Sequence, residues 1–160
     1  MRKVFLLGCL LALVFVACNK KDNPEPPYDP YPQYQQDSTN IQAYLKANNI
    51  TALQDSFGIF YKIVKRGEIK DTVRRTSNVT VGYKGYLLNK TQFDGKDTAS
   101  FELPRLIPAW QIALPRIGKG GEIHIYVPSF YGYGTRATGS IPANSPLVFE
   151  IKLHDFTPAK

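Results

Sequence analysis

Six short blocks of sequence between residues 79 and 156 decide the fold. They are VGYKGY (81–86), QFDG (92–95), LIPAW (106–110), YGYG (131–134), IPAN (141–144) and LVFE (147–150). The blocks alternate aromatic or branched apolar residues with turn-forming residues, and they contain few groups able to act as acid, base or nucleophile. This pattern predicts an apolar cavity lined by aromatic rings, which can bind a guest or catalyse a reaction that needs no proton transfer.

Local periodicity assigns these blocks to strands and to one short helix. Apolar and polar residues alternate over 79–84 and 123–127, and Phe149, Ile151 and Leu153 share one face of a last strand over 147–156. Residues 107–114 predict the helix, with Pro108 tolerated in its first turn and Pro115 ending it.

The regions between these elements complete the predicted domain. Residues 57–65 are rich in β-forming residues and predict another strand, 65–77 predict a polar connection, and 128–145 predict a glycine-rich loop. Because strands outnumber the single short helix, the fold class is α+β with an antiparallel sheet.

The chain begins with the features of a lipoprotein export signal. Two basic residues precede an apolar stretch over 4–16, which is too short and wrongly flanked to be a membrane-spanning helix. The sequence Phe15-Val16-Ala17-Cys18 resembles the bacterial lipobox, whose cysteine becomes the acylated first residue of the mature chain. We therefore predict a signal peptide over 1–17 and lipidation of Cys18, which anchors the protein to a membrane.

The cysteine count and the charge pattern exclude several classes of function. Of the two cysteines, Cys9 leaves with the signal and Cys18 carries lipid, so the mature domain has none for a disulfide or for thiol catalysis. Removal of the signal's two basic residues lowers the formal net charge from +7 to +5. The remaining positive charges are scattered and are not interleaved with stacking aromatic residues, which argues against nucleic acid as a partner.

A tether over 18–37 and a helical extension over 38–56 are predicted before the domain. Five prolines fall between Asn19 and Asp37, a density that favours an extended spacer over helix or sheet. Residues 19–22 partly resemble the surface-export signals of Bacteroidetes lipoproteins. Ser38 or Thr39 can cap a short helix through about Asn48. The sequence leaves open whether this helix packs on the domain or mediates self-association.

In their order and spacing, the six blocks resemble the FKBP-type peptidyl-prolyl cis-trans isomerases. The resemblance covers about residues 57–156, and we predict the isomerase domain over 57–158. It implies a strongly curved antiparallel sheet wrapped around one short helix, with a substrate pocket between the helix and the concave face of the sheet.

The resemblance also implies which residues form that pocket. Catalytic roles are implied for Tyr83, Phe93, Asp94, Trp110, Tyr133 and Phe149. Substrate-binding roles are implied for Phe101, Leu106, Ile107 and Ile141. Trp110 is expected at the floor, and the Tyr133 hydroxyl and the Ile107 backbone N–H are expected to donate hydrogen bonds to substrate carbonyl groups.

No metal and no cofactor is implied, and three positions depart from the family pattern. His124 and His154 fall on the polar faces of their strands, as expected for solvated histidines. Asp94 lacks the arginine that commonly pairs with it, because the segment Lys96–Ser100 is short. Ala109 replaces the usual glycine before the tryptophan, and Arg136 stands in the loop in place of a histidine.

Three functions are compatible with these features. The first is an exported prolyl isomerase of the cell envelope, lipid-anchored to the outer membrane, whose partners are proline-containing polypeptides and macrolide-type inhibitors. The second is a non-catalytic module that holds apolar peptide segments, and the third is a lipoprotein that only scaffolds a complex. Tyr133, Trp110 and Phe93 favour the first, since a scaffold has no need of a proline-shaped pocket.

Overall fold

The computed structural model describes residues 29–157, so the predicted signal peptide, Cys18 and most of the predicted tether lie outside the described residues. Within that range no helix is long and apolar enough to cross a membrane. In chain order the helices and strands are α1 (Tyr31–Ala47), β1 (Leu53–Gln54), β2 (Phe60–Lys65), β3 (Asn78–Leu87), β4 (Gln92–Glu102), α2 (Pro108–Ala113), β5 (Glu122–Val127) and β6 (Leu147–Thr157).

The six strands form one antiparallel sheet in the order β1-β2-β5-β6-β3-β4. Irregularities in the register interrupt β3 on both of its sides, next to Val81 and next to Gly85. Bulges of this kind bend a strand and increase its local twist, which curves the sheet. The predicted α+β class with a curved antiparallel sheet is confirmed.

One face of the sheet packs on α2 to form the main core. Ile123, Ile125 and Val127 of β5 are fully buried there, together with Trp110 and Ala113 of α2. Pro108 lies in the first turn of α2, where its missing N–H costs nothing. The helical path continues beyond α2 as a 3-10 turn over Leu114–Arg116, so Pro115 lies inside that turn and does not end the helical segment as predicted.

The opposite face of the sheet is covered by α1. Ile41 and Leu45 of α1 are buried against Phe60, Tyr126 and Val148. Tyr126 is therefore only 2% exposed, although it lies on the face of β5 opposite to the main core. Of the two alternatives that the sequence left open, this packing shows the first, because the apolar stripe of α1 lies on the domain.

Helix α1 begins at Tyr31 and not at Ser38, so the predicted extended tether is wrong for residues 31–37. Pro30 precedes the helix and Pro32 lies in its first turn, where proline is tolerated because those N–H groups have no helical partner. Asp29 accepts a hydrogen bond from the Tyr31 N–H at 2.9 Å and so supports the start of the helix.

A buried carboxylate ties α1 to the loop that follows β5. Asp37 is 0% exposed, and its Oδ2 accepts hydrogen bonds from the backbone N–H and the hydroxyl of Ser129, at 2.7 and 2.6 Å. Its Oδ1 accepts a bond from Gln33 Nε2 at 2.7 Å. Ser129 begins the 3-10 turn Ser129–Tyr131, and its carbonyl oxygen accepts from the N–H groups of Gly132 and Gly134. Helix α1 is thus bonded directly to the turn that leads to Tyr133.

The sequence did not predict two of the strands. Strand β4 includes residues 96–100, of which Ala99 alone is apolar, and the alternation of half-buried residues at 93, 95, 99 and 101 is broken over residues 96–98. It is held by its register with β3, from Asn78 opposite Glu102 to Tyr86 opposite Gln92. Strand β1 has two residues, too few for any periodicity, and the strand predicted from Phe57 begins at Phe60.

Candidate active site

The rings of five predicted pocket residues form one cluster, with Trp110 at its centre. The Trp110 ring lies edge to face with Tyr83, Phe149 and Phe101, at centroid distances of 5.2, 5.5 and 6.3 Å. Phe93 extends the cluster by packing against Phe149 at 5.6 Å. Trp110 and Phe149 are buried, whereas Phe93 and Tyr83 are half-buried and form the open side. Edge-to-face contacts of this kind stabilise each ring pair by about 0.5–1.5 kcal/mol beyond burial.

Strand register explains how the rings meet. Gly85 of β3 stands opposite Phe149 of β6 and opposite Asp94 of β4, so the two neighbouring strands present Phe149 and Phe93 on either side of it. A Cβ atom at Gly85 would lie 2.7 Å from the Phe93 ring and 3.0 Å from the Phe149 ring. The glycine leaves the space that the two rings occupy.

Asp94 orients the phenol of Tyr83. The Tyr83 hydroxyl donates a hydrogen bond to Asp94 Oδ2 at 2.8 Å, and Asp94 Oδ1 accepts a bond from the Gly95 N–H at 2.7 Å. Burial and the bonded carboxylate raise the pKa of Tyr83 from 10.0 to about 12. The carboxylate, which the sequence left without its usual arginine, has a tyrosine hydroxyl as its partner.

The remaining predicted residues lie around the rings. Leu106, Ile107 and Tyr133 are half-buried and pack against the main core, and Ile107 directly precedes α2. Burial and the nearby Asp94 raise the pKa of Tyr133 above its ordinary value, so this hydroxyl keeps its proton further into the alkaline range than an ordinary tyrosine does. Ile141 is only 5% exposed, although the loop before it, residues 135–140, is exposed and is closed by paired backbone hydrogen bonds between Thr138 and Ile141.

An open cleft of about 340 Å³ lies at Tyr133, and none of the five rings of the cluster lines it. Its lining consists of Pro108, Phe130, Gly132, Tyr133, Gly134, Thr135 and Arg136. At the floor of the ring cluster, Trp110 Nε1 is buried and makes no hydrogen bond with any described residue. The site thus combines a cluster of apolar rings with a separate cleft at which the Tyr133 hydroxyl is a polar group, and a hydroxyl of this kind can donate to a carbonyl group.

A groove of similar size, about 310 Å³, lies between β3, β4 and β6 and includes Lys84, Lys96 and His154 in its lining. Charged side chains dominate it and Tyr83 is its one aromatic residue, so it is poorly suited to remove water from a guest. His154 bonds the Asp97 carbonyl oxygen, and His124 lies 3.3 Å from Glu122. Over residues 29–157, no cluster of three potential metal ligands occurs.

The comparison with known families bears on this pocket directly. The family model described as FKBP-type peptidyl-prolyl cis-trans isomerase matches residues 70–154, which contain every ring of the cluster. The chain belongs to this family. The family resemblance of the six sequence blocks is thereby confirmed.

Individual FKBP-type relatives agree with the family model. The chain is 39% identical over 104 residues to FKBP-type peptidyl-prolyl cis-trans isomerase FkpA of Buchnera aphidicola from Schizaphis graminum, covering 62% of this chain and 41% of that protein. It is 37% identical over 108 residues to FkpA of Escherichia coli K12, covering 65% of this chain and 40% of that protein. The chain thus spans about two fifths of the length of these curated relatives.

Solved structures show the same FKBP-type fold. The crystal structure of FkpA from Escherichia coli matches with a TM-score of 0.70 and 30% identity, over 81% of this chain and 63% of that one. A peptidyl-prolyl cis-trans isomerase from Pseudomonas syringae matches with a TM-score of 0.69 over 83% of this chain and 99% of that one. At 23% identity, the second match supports the fold alone.

Two residues that support this FKBP-type site were missed by sequence reasoning. Gly85 lies within the block VGYKGY, but its role depends on two rings from neighbouring strands. Asp37 was assigned to the tether, and its partner Ser129 is 92 positions away in the chain. Asp37 lies in the same helical segment as the apolar Ile41 and Leu45. An acidic residue in such a segment does not by itself predict a buried contact.

The raised tyrosine pKa values predict a loss of stability at alkaline pH. Tyr83 and Tyr126 titrate at about 12 in the fold, chiefly because burial penalises the phenolate, against 10.0 for an ordinary tyrosine. A raised pKa means that the folded state holds the proton more tightly than the unfolded chain. This contribution to stability is fully present below about pH 10 and is lost as the pH rises towards about 12.

The free energy of unfolding from urea titrations is therefore expected to be similar at about pH 7 and pH 9 and clearly smaller at about pH 11. Tyr83→Phe and Tyr126→Phe should each make the alkaline loss shallower than it is in the wild type. An unfolding free energy that does not change between about pH 9 and pH 11 would contradict these pKa shifts.

Proposed function

We propose that this protein accelerates the cis-trans rotation of X–Pro bonds in polypeptides. The observation that carries the proposal is the ring cluster around Trp110, formed by residues that the family model matches. It gives the chain a cluster of apolar rings, and rotation about an X–Pro bond needs no acid, base or nucleophile. Five of the ten predicted catalytic and substrate-binding residues contribute these rings, which supports the proposal.

The physics of the reaction fits such a pocket. Rotation about the peptide bond must overcome about 18–20 kcal/mol, because the planar amide loses its resonance when it twists. The planar amide is strongly dipolar and well solvated, whereas the twisted form has an amine-like nitrogen and a ketone-like carbonyl group. Transfer into a ring-lined pocket therefore costs the planar form more than the twisted one. Each tenfold gain in rate requires about 1.4 kcal/mol of this discrimination.

Polar groups at the border are assigned to orientation of the substrate. The Tyr133 hydroxyl, kept protonated by its raised pKa, and the Ile107 N–H are proposed to donate to carbonyl oxygens on either side of the proline. Asp94 holds the Tyr83 ring edge-on to Trp110 by accepting its hydroxyl hydrogen bond. Asp94 is thus a positioning residue and not a base. Macrolide-type inhibitors of the family are proposed to occupy the same pocket.

A protease-coupled assay on a short X–Pro peptide tests the proposal. The chain is prepared without residues 1–18, which leaves every described residue in place. We expect isomerisation faster than the uncatalysed reaction, which takes about 10–100 s, and inhibition by a macrolide ligand. A rate equal to background, for protein shown to be folded by circular dichroism, would eliminate the enzymatic function.

We also propose that the protein is a lipoprotein of the cell envelope, anchored through Cys18. The lipobox-like sequence before Cys18 supports this, together with an apolar segment of export length. Metabolic labelling with palmitate is expected to mark the wild type and to fail for Cys18→Ala. Labelling that survives this substitution would refute the anchor. The chain without residues 1–18 should keep its peptide activity, because all residues of the ring cluster remain in it.

A further inference from the structure

A second cavity, which the proposed reaction does not use, lies where α1 begins. It has a volume of about 280 Å³ and is lined by Pro30, Tyr31, Tyr34, Ser56, Phe57, Phe130 and Tyr131. We call it the aromatic groove. Five of these seven residues are aromatic and none is charged, a composition typical of surfaces that bind apolar chain segments.

The groove leaves large apolar side chains in water. Tyr31 is 60% exposed, Phe130 54% and Phe57 43%. The Tyr131 ring joins them, with its centroid 5.1 Å from that of Phe130 and 6.3 Å from that of Phe57. Single exposed apolar residues are normal, but a contiguous exposed patch of aromatic rings indicates a binding surface.

Buried polar bonds hold the walls of the aromatic groove in place. Asp37 bonds the turn that carries Phe130 and Tyr131 to α1. On the other side, Asp55 accepts from the Phe57 N–H at 2.9 Å and pairs with Arg116 at 2.8 Å. Because the walls are fixed before a guest arrives, little ordering entropy opposes binding.

The aromatic groove adjoins the cleft at Tyr133 through a shared residue. Phe130 lines the groove and also the cleft that contains Tyr133 and Pro108. A polypeptide whose proline occupies the ring cluster and that leaves through this cleft therefore passes Phe130 and enters the groove. Short peptides end before they reach it.

We propose that the aromatic groove binds the apolar chain segment that flanks the X–Pro bond when the substrate is an unfolded protein. This inference rests on the proposed isomerase function, which supplies the proline site at one end. It gives the enzyme a higher affinity for unfolded polypeptides than for short proline peptides. The occupant is the substrate chain itself and not a second copy of this protein.

The test compares binding with activity in the chain that lacks only residues 1–18. The probe for binding is fluorescently labelled, reduced and carboxymethylated α-lactalbumin, which stays unfolded, and its Kd is measured by anisotropy. The triple variant Tyr31→Ser/Tyr34→Ser/Phe57→Ser changes three rings that line the groove but not the cleft at Tyr133. It is expected to weaken binding at least about tenfold, because it truncates three aromatic contacts. Its kcat/KM for a short X–Pro peptide should remain within about twofold of the wild type.

A matched control and a milder variant keep the test decisive. Ile69→Ser/Val64→Ser removes apolar side chains of similar exposure, 68% and 48%, at positions that do not line the groove, and it should leave Kd unchanged. If the triple variant fails to fold, Phe57→Ser alone should still weaken binding severalfold. Unchanged Kd in the variants, or an equal loss in the control, would overturn the inference.

Two further outcomes separate the possible explanations. Sedimentation that shows a wild-type dimer, dissociated in the triple variant, would assign the groove to self-association and overturn the inference. If the wild type binds the unfolded probe through the groove but does not rotate short peptides, the isomerase proposal fails while the groove remains a binding surface for unfolded chains.

Discussion

Replacing Phe93 by alanine is expected to lower kcat/KM for a short X–Pro peptide by more than about tenfold. The Phe93 ring is half-buried on the open side of the cluster and packs edge to face on Phe149 at 5.6 Å. Its removal opens the pocket to water, so the planar amide is no longer destabilised relative to the twisted one. The loss of stability should be modest, about 1–2 kcal/mol, because the ring is partly solvated in the wild type.

Phe156→Ala provides the matched control for this prediction. Phe156 is also half-buried and also packs on the main core, but it lies near the end of β6, where Val79 of β3 separates it from Phe101 of the cluster. We expect it to lose similar stability and to keep its peptide activity. Phe93→Ala with activity within about twofold of the wild type, or an equal loss of activity in Phe156→Ala, would show that the ring is only packing.

The largest effect on stability is expected from Asp37→Ala. The substitution leaves the Ser129 N–H and hydroxyl buried without their acceptor, and each orphaned group costs about 1–3 kcal/mol. The better helix propensity of alanine offsets about 0.6 kcal/mol of this loss. We expect a net loss of about 3 kcal/mol, a large part of the 5–15 kcal/mol that is typical of a domain. Urea unfolding at neutral pH measures it.

Asp29→Ala is the control in the same segment. Asp29 is exposed and accepts one backbone hydrogen bond, so its removal should cost about 0.5–1 kcal/mol. Ser129→Ala should cost markedly less in the Asp37→Ala background than in the wild type, because the two residues form one unit. If the losses of unfolding free energy from Asp37→Ala and Ser129→Ala simply add, the bond between α1 and the 129–131 turn does not stabilise the fold as proposed.

Elements with local signals could be predicted from the sequence, and those defined by long-range contacts could not. Strands β3, β5 and β6 carry their own alternation, and α2 has proline in its first turn. The start of α1 was misplaced because proline density was taken to exclude a helix, although Pro30 and Pro32 fall where a helix tolerates them. Strand β4 is fixed by its pairing with β3, which no local pattern of its side chains reveals.

In the candidate site, too, features within a motif could be predicted from the sequence and features that depend on long-range contacts could not. The rings of Tyr83, Phe93, Trp110 and Phe149 lie within motifs, so a family resemblance could indicate them. The space that Gly85 leaves for Phe93 and Phe149 depends on the register of three strands. The aromatic groove joins residues from three distant segments of the chain, and Asp37 reaches Ser129 only because α1 packs across the sheet. Tertiary packing alone creates these features.

We propose that the ring cluster itself catalyses rotation about the X–Pro bond. Exchange NMR on a short X–Pro peptide tests it most directly, because separate cis and trans signals report the rotation without any coupled protease. With catalytic amounts of the folded protein, we predict exchange cross-peaks on a timescale of about a second or less, against tens of seconds for the free peptide. Their intensity should fall strongly for Phe93→Ala. If exchange is no faster than in the free peptide, with the protein folded and the peptide in excess, the ring cluster does not catalyse the rotation.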